Sequence, residues 1–241
     1  MSQHDFILGP CDTDSISFSK RDFSLWSDEE RKSILLELDA LDGELIKWED
    51  DGIYDTIIIV AAKNYILWDG KKLKIKGASL KASNKELFLK EYIKNVINIL
   101  LDPNYTQDQI IELYNKTALE CLNVKDMSRF SFKKTVTKAV LEGQGTAELK
   151  ARLALKYEVG VQQGNKYRVF YLTNGNLSLD KNFQGDYCKK TLLKKLFATT
   201  KIFNTLFPIE LFKNYSLQVN YYPFVGEEKP KRTQKKLTTP I

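Results

Sequence analysis

FILGPCDTDSISFSK, residues 6–20, sets two carboxylates, Asp12 and Asp14, one residue apart between two short apolar runs. The alternation predicts a β-hairpin over residues 5–18 with Asp12 to Ser15 near its turn. Pro10 removes one backbone donor and should distort the first strand or hold it at a sheet edge. Two carboxylates at a hairpin turn suit a two-metal phosphoryl-transfer site, because Mg²⁺ ions about 3.5–4 Å apart need anionic oxygens on a stiff support. The same four residues also fit an Asx-stabilised turn. A calcium-binding EF-hand does not fit: Ile16 stands where its fifth-position ligand belongs, and the required Gly and terminal Glu are missing.

Working outward, SDEERKSILLELDAL (27–41) reads as a helix, with Ser27 and Glu30 as a capping box and Ile34, Leu35, Leu38 and Leu41 as the buried stripe. Strands follow: ELIKWED (44–50) alternates, YDTIIIVAA (54–62) is a buried run, and NYILWDGKKLKIKG (64–77) is a hairpin across Asp69-Gly70. Beyond Gly77 the period changes from two to 3.6. SNKELFLKEYIKNVINILL (83–101) opens with a second capping box, Ser83 to Glu86, carries Leu89, Ile93, Val96, Ile97 and Leu100 on one face, and stops at Asp102-Pro103. Thr106 and Gln109 cap a further helix through about Leu122. Residues 128–172 are mixed and end in a strand, YRVFYL (167–172); the last helices span roughly 187–214. EKPKRTQKKLTTPI (228–241) is basic, has two prolines and no apolar stripe, and reads as a flexible tail.

A chain of 241 residues with 43% hydrophobic content can bury a substantial core. Cys11, Cys121 and Cys188 lie far apart without a CxxC pair, and His4 is the only histidine, so neither a disulfide framework nor a zinc site is supported. A reducing cytoplasm fits this usage. The apolar run TIIIVAA (56–62) is strand-sized, and the sequence shows neither a membrane span nor a secretion signal. The net charge of +6 hides an asymmetry: residues 1–62 hold 5 basic against 15 acidic residues, which leaves 32 against 16 for residues 63–241. A field of that sign, with Lys interleaved among Tyr and Phe, favours a polyanion partner and suits nucleic acid.

Two resemblances bear on DTDS. DTDSI partly satisfies the DxD of a haloacid-dehalogenase-type phosphohydrolase, which would make Asp12 an aspartyl nucleophile. A second motif favours another family. AAKNYILWDGKKLKIKG (61–77), at its distance downstream of DTDS, resembles the palm of a family B DNA polymerase, where a DTDS hairpin is followed by a KxY motif and a KIKG-like strand. Lys63-Asn64-Tyr65 and Lys74-Ile75-Lys76-Gly77 match. More loosely, KTVTKAV (134–140) and VGVQQGNKYRVFYL (159–172) are similar to segments of that family's thumb.

This resemblance implies an α+β fold: a partial antiparallel-sheet palm with a catalytic hairpin over residues 1–80, a mainly helical thumb over 81–226, and a basic tail over 227–241. It implies Asp14 as a direct metal ligand with Asp12 as the supporting carboxylate for two Mg²⁺ ions. Lys63 and Tyr65 would hold primer-template DNA near the growing end. Lys74, Lys76, Thr137, Lys138, Arg152 and Lys166 would contact duplex phosphates. The sequence departs from the family pattern where Pro10-Cys11 precedes DTDS and Ala62 precedes Lys63. No DxxSLYPS segment, fingers helix or exonuclease carboxylate set is present. The resemblance therefore implies a C-terminal subunit of a split polymerase, inactive without a second chain that carries the exonuclease, fingers and remaining palm. Primer-template DNA and a dNTP would be its substrates, and a processivity factor is a further candidate partner. A non-catalytic DNA-binding subunit stays open beside it.

Overall fold

The computed structural model describes residues 6–12, 14–42, 46–81 and 85–212, which divide into two compact units, one up to residue 81 and one from residue 85 on. The fold is α+β, with antiparallel pairing in each of the three small sheets found among the described residues.

In the first unit, β1 (Phe6–Asp12) and β2 (Ser15–Lys20) pair as a hairpin whose register slips between Leu8 and Cys11, the stretch that holds Pro10. Phe6, Phe18 and Trp26 cluster at its open end with centroids 5.2–5.6 Å apart. Helix α1 (Asp28–Asp42) begins with the expected reciprocal cap: Glu30 N donates to Ser27 Oγ at 3.2 Å and Ser27 N donates to Glu30 Oε2 at 2.8 Å. Its apolar stripe is narrower than expected. Leu38 is buried and Ile34 and Leu35 are half-buried, but Leu41 is exposed.

Residues 46–50 form no strand, contrary to the alternation of ELIKWED. Side chains tie them to α1 instead: Trp48 N donates to Asp39 Oδ1 at 2.8 Å, and Arg31 donates to Asp50 Oδ2 at 2.6 Å. β3 (Thr56–Ala61), β4 (Asn64–Trp68) and β5 (Leu73–Lys76) make a three-stranded meander with β4 in the centre. As an edge strand, β3 buries Val60 but exposes Ile57 and Ile59, so TIIIVA is half-buried rather than the core run its composition suggests. Asp69 stabilises the β4–β5 turn by accepting from Lys71 N and Lys72 N at 2.8 and 2.5 Å. A short helix α2 (Ala78–Lys81) follows.

The second unit packs α3 (Leu87–Leu100) and α4 (Gln107–Leu122) against a third helix, α7 (Lys189–Thr200). The α3 face Leu89, Ile93, Val96 and Ile97 is buried as its 3.6 period requires. Tyr92 bonds Thr200 Oγ1 at 2.9 Å inside this core. Thr106 N donates to Gln109 Oε1 at 2.8 Å, as the second half of its cap predicts. Ser83 lies outside the described residues, and Glu86 sits at the N-cap position of α3 without capping it.

Between the helices, β6 (Phe132–Thr135), β7 (Lys166–Tyr171) and β8 (Leu177–Leu179) form a sheet. The helices α5 (Lys138–Glu142) and α6 (Thr146–Ala154) are inserted between β6 and β7. Val136, Val140, Ala151, Leu155, Val169, Leu177 and Leu179 share one core, each large side chain contributing roughly 1.5–3 kcal/mol on full burial. The expected tail, and the end of the last helical stretch beyond residue 212, lie outside the described residues.

Candidate active site

DTDS falls at the β1–β2 turn. Asp12 pairs through its backbone with Ser15, and Asp14 occupies the turn with an exposed side chain. Among the described residues no group of three or more His, Cys, Asp or Glu side chains gathers as a metal cage. An exposed turn carboxylate suits Mg²⁺, which is held by one or two carboxylates and completes its shell with water and substrate phosphates. Asp14 therefore has the exposure and the chemistry that one carboxylate ligand of such a site needs.

The KxY motif lies at the two-residue turn between β3 and β4, where Ala61 pairs with Asn64. Lys63 adopts a left-handed backbone, φ +59°, and is exposed. The Asn64 side chain fixes this turn, donating to Ala62 O at 3.0 Å and accepting from Ser79 N at 3.2 Å. Gly77 closes against it. A Cβ on Gly77, at φ +103°, would stand 2.5 Å from the Lys63 carbonyl oxygen and 2.3 Å from Asn64 Oδ1. The KNY and KIKG motifs are thus one structural feature, and its last residue must be glycine.

Tyr65 pairs with Lys76 across the sheet and is 8% exposed. Direct contact of its ring with a ligand is confined to that fraction; the ring otherwise packs the sheet. Lys74 is engaged within the chain: its ammonium lies 2.5 Å from Asp51 Oδ2 and 3.1 Å from the Tyr54 hydroxyl. These two partners hold the Lys74 ammonium above its usual range, and the Lys74 hydrogen bond holds Asp51 below its own. Lys76, two residues on, is half-exposed and its charge adds to the lowering of Asp51.

The remaining candidates belong to the second unit, around the α5–α6 insert. Thr137 caps α5, accepting from Val140 N at 3.3 Å. Lys138 is exposed, 3.8 Å from Glu142. Arg152, in the last turn of α6, donates to the Glu142 carbonyl at 3.3 Å. Lys166 opens β7 opposite Thr135 and is exposed. Thr137 and Lys138 thus stand at the start of one short helix and Arg152 reaches its end, while Lys166 pairs with Thr135 just before that start.

Sequence reading passed over a second set of cations. Lys190, Lys194 and Lys201 fall within about 40° of one another on a 3.6-residue wheel. They are exposed along the outer side of α7 and its continuation, and have no ion-pair partner among the described residues. Their i, i+4, i+11 spacing was the available signal.

No protein-family model matches the sequence, and no curated protein does. Among solved structures, the chain is similar to the family B DNA polymerase of the hyperthermophilic archaeon Pyrobaculum calidifontis, with a TM-score of 0.62 and 16% identity over 86% of this chain. The match spans 27% of the archaeal chain, so the present protein corresponds to about a quarter of that enzyme's length. At this identity the likeness is one of fold alone: this chain folds similarly to part of that family B DNA polymerase.

Proposed function

We propose that this chain is the C-terminal subunit of a split family B DNA-directed DNA polymerase, active in the cytoplasm. Residues 1–80 contribute part of the palm and residues 81–226 the thumb, while a second polypeptide supplies the exonuclease, the fingers and the remaining palm. One observation carries the reading: a chain with a family B polymerase fold sets DTDS on a hairpin turn and joins Lys63, Asn64 and Gly77 in a single packed feature. The hairpin setting favours nucleotidyl transfer over the phosphohydrolase reading of DTDS.

Asp14, with Asp12, would hold two Mg²⁺ ions jointly with an aspartate of the second polypeptide. The ions would supply Lewis-acid stabilisation of the charge that develops when a primer 3′-hydroxyl attacks a nucleotide α-phosphate. The role of this chain is to present carboxylate charge on a stiff turn and to position the duplex. Lys63 would do so through backbone phosphates, where contacts are insensitive to sequence. Lys76 in the first unit, and Lys138, Arg152 and Lys166 in the second, would each contact duplex phosphates, with Tyr65 and Thr137 mainly in supporting roles.

The test is primer extension. The purified chain alone should not extend a primer, and mixing with the complementary polypeptide should restore synthesis. Asp14→Ala in the mixture should abolish incorporation while leaving DNA affinity within a few-fold. Robust synthesis by the single chain would refute the split assignment, and an active Asp14→Ala mixture would reduce DTDS to a turn and the chain to a DNA-binding subunit.

A further inference from the structure

The turn that presents Lys63 contains neither of the residues suited to its backbone. Between β3 and β4 the chain turns through Ala62 and Lys63, with Ala61 opposite Asn64. Favoured two-residue hairpin turns are left-handed at the first central residue or at both, and use Gly, Asn or Asp there. Here the second alone is left-handed, and it is a lysine at φ +59°. The register of β3 also slips between Ile59 and Ala61, just before the turn. A glycine at residue 63 would take this backbone without strain. Lysine takes it at a cost in free energy, and what it adds is a cationic side chain on an exposed turn.

Strain of this kind persists where the surroundings over-determine the conformation. One half-buried amide does so here. Asn64 Nδ2 donates to Ala62 O at 3.0 Å, which ties the amide to the turn. Asn64 Oδ1 accepts from Ser79 N at 3.2 Å, and Ser79 lies in the first turn of α2, where backbone donors have no acceptor within the helix. Gly77 makes room for this bridge, since a Cβ there would stand 2.3 Å from Asn64 Oδ1. The close relatives of asparagine fail one demand each. Aspartate has the reach but no donor for the Ala62 carbonyl, and glutamine adds a methylene to a contact too tight for a Cβ.

We infer that Asn64 is the positioning residue of the KxY motif: its amide locks the Ala62–Lys63 turn to the start of α2 and so sets where the Lys63 side chain meets duplex phosphate. The inference rests on the polymerase reading above, which takes Lys63 as the DNA contact. Asn64 acts through the backbone of its neighbour and brings no charge of its own. Its loss therefore has a signature that the loss of a phosphate ligand or of a general support does not share.

The experiment is a double-mutant cycle on the enzyme reconstituted from the full chain and the complementary polypeptide, with affinity for primer-template measured against salt. Asn64→Ala should weaken binding about three- to tenfold and lower the salt slope toward that of Lys63→Ala, although it removes no charge. In a Lys63→Ala background the same substitution should change affinity by less than about twofold, because the group it positions is gone. Asn64→Gln, equally neutral and equally polar, repeats the cycle if Asn64→Ala does not fold. Parental affinity and slope in the Asn64 variant, beside a Lys63→Ala enzyme that loses both, would overturn the inference and leave the polymerase reading intact. Equal losses in the two backgrounds would make Asn64 a general support of the first unit and overturn the inference as well. A Lys63→Ala enzyme indistinguishable from the parent would overturn both the assignment of this turn to DNA and the role of Asn64 in it.

Discussion

Gly77 and Lys63 are in backbone contact: no side chain fits at residue 77 without striking the Lys63 carbonyl, 2.5 Å from where a Cβ would stand. The turn that holds the exposed Lys63 is therefore held from behind by the strand that ends in Lys76-Gly77. A change at Gly77 should act on Lys63 without altering any charge.

Gly77→Ala should destabilise the first unit by more than about 1 kcal/mol, because both its φ and its contacts are incompatible with a Cβ. Gly52, also at positive φ but with nothing within 4 Å, is the control for backbone conformation alone. Urea denaturation of the two variants isolates the steric part as the difference between them. Equal losses would mean that the Lys63 turn adjusts freely.

The interior of the second unit sets a limit at high pH. Burial pushes the Tyr92 and Tyr114 hydroxyls and the Cys121 thiol far above their ordinary values. A group whose folded pKa is raised contributes stability that is fully present below its unfolded pKa and is lost as pH rises toward the folded one. Stability should therefore hold to about pH 8, fall from about pH 8.5 as Cys121 titrates in the unfolded chain, and fall more steeply above about pH 10 with the tyrosines. Cys121→Ala should flatten the first part of that decline. A parent curve level through pH 11 would contradict the burial of these groups.

Glu86 and Lys195 form an ion pair between the start of α3 and the middle of α7, with the Glu86 side chain 4% exposed and the lysine ammonium 4.4 Å from the Phe132 ring centroid. Removing one member leaves the other without its charge partner. Lys195→Met should cost about 3 kcal/mol by stranding a buried carboxylate, and Glu86→Gln less, since the lysine is partly exposed and keeps its aromatic contact. Adding Glu86→Leu to Lys195→Met should recover most of the loss. Thermal unfolding of the three variants decides the matter: additive losses would show that the pair is not coupled.

Glu86 also shows where sequence reading stops. Spaced three residues from Ser83, it has the local pattern of a capping box, but its carboxylate bonds a lysine 109 residues away, which no local pattern encodes. Helices α1 and α4 were legible because apolar period and caps agree within a few residues, and α3 was legible from its apolar period alone. The DTDS hairpin was legible because both strands and their carboxylates are contiguous. Residues 46–50 were misread because their alternation matches a strand, while the donors and acceptors that hold them belong to Asp39 and Arg31 on α1. Tyr65, Ile66 and Leu67 are all buried, so the period of two could not place the Tyr65 ring. The pairing of Lys74 with Asp51 was hidden by their separation of 23 positions in the sequence.

That pairing separates the two lysines in a measurable way. Binding of the reconstituted enzyme to primer-template should release counterions, with log K falling by about 0.9 per phosphate neutralised for each tenfold rise in salt. Lys63, on its exposed turn, should contribute one such contact: Lys63→Ala should weaken binding to a similar degree on unrelated duplexes and reduce the slope by roughly one contact or less. Lys74 lies 2.5 Å from Asp51 and is largely neutralised within the chain. Lys74→Ala should leave the slope nearly unchanged and instead lower stability by about 0.2–1 kcal/mol, the range of solvent-accessible ion pairs. Replacing Lys190, Lys194 and Lys201 together by Ala tests whether the outer side of α7 also meets DNA, since three lost contacts would change the slope by about 2.7. Affinity measured against salt for the three variants on two duplexes distinguishes these cases. A Lys74→Ala slope reduced as much as that of Lys63→Ala would place Lys74 on the duplex, and a Lys63→Ala enzyme with parental affinity would remove the turn from the primer-template groove.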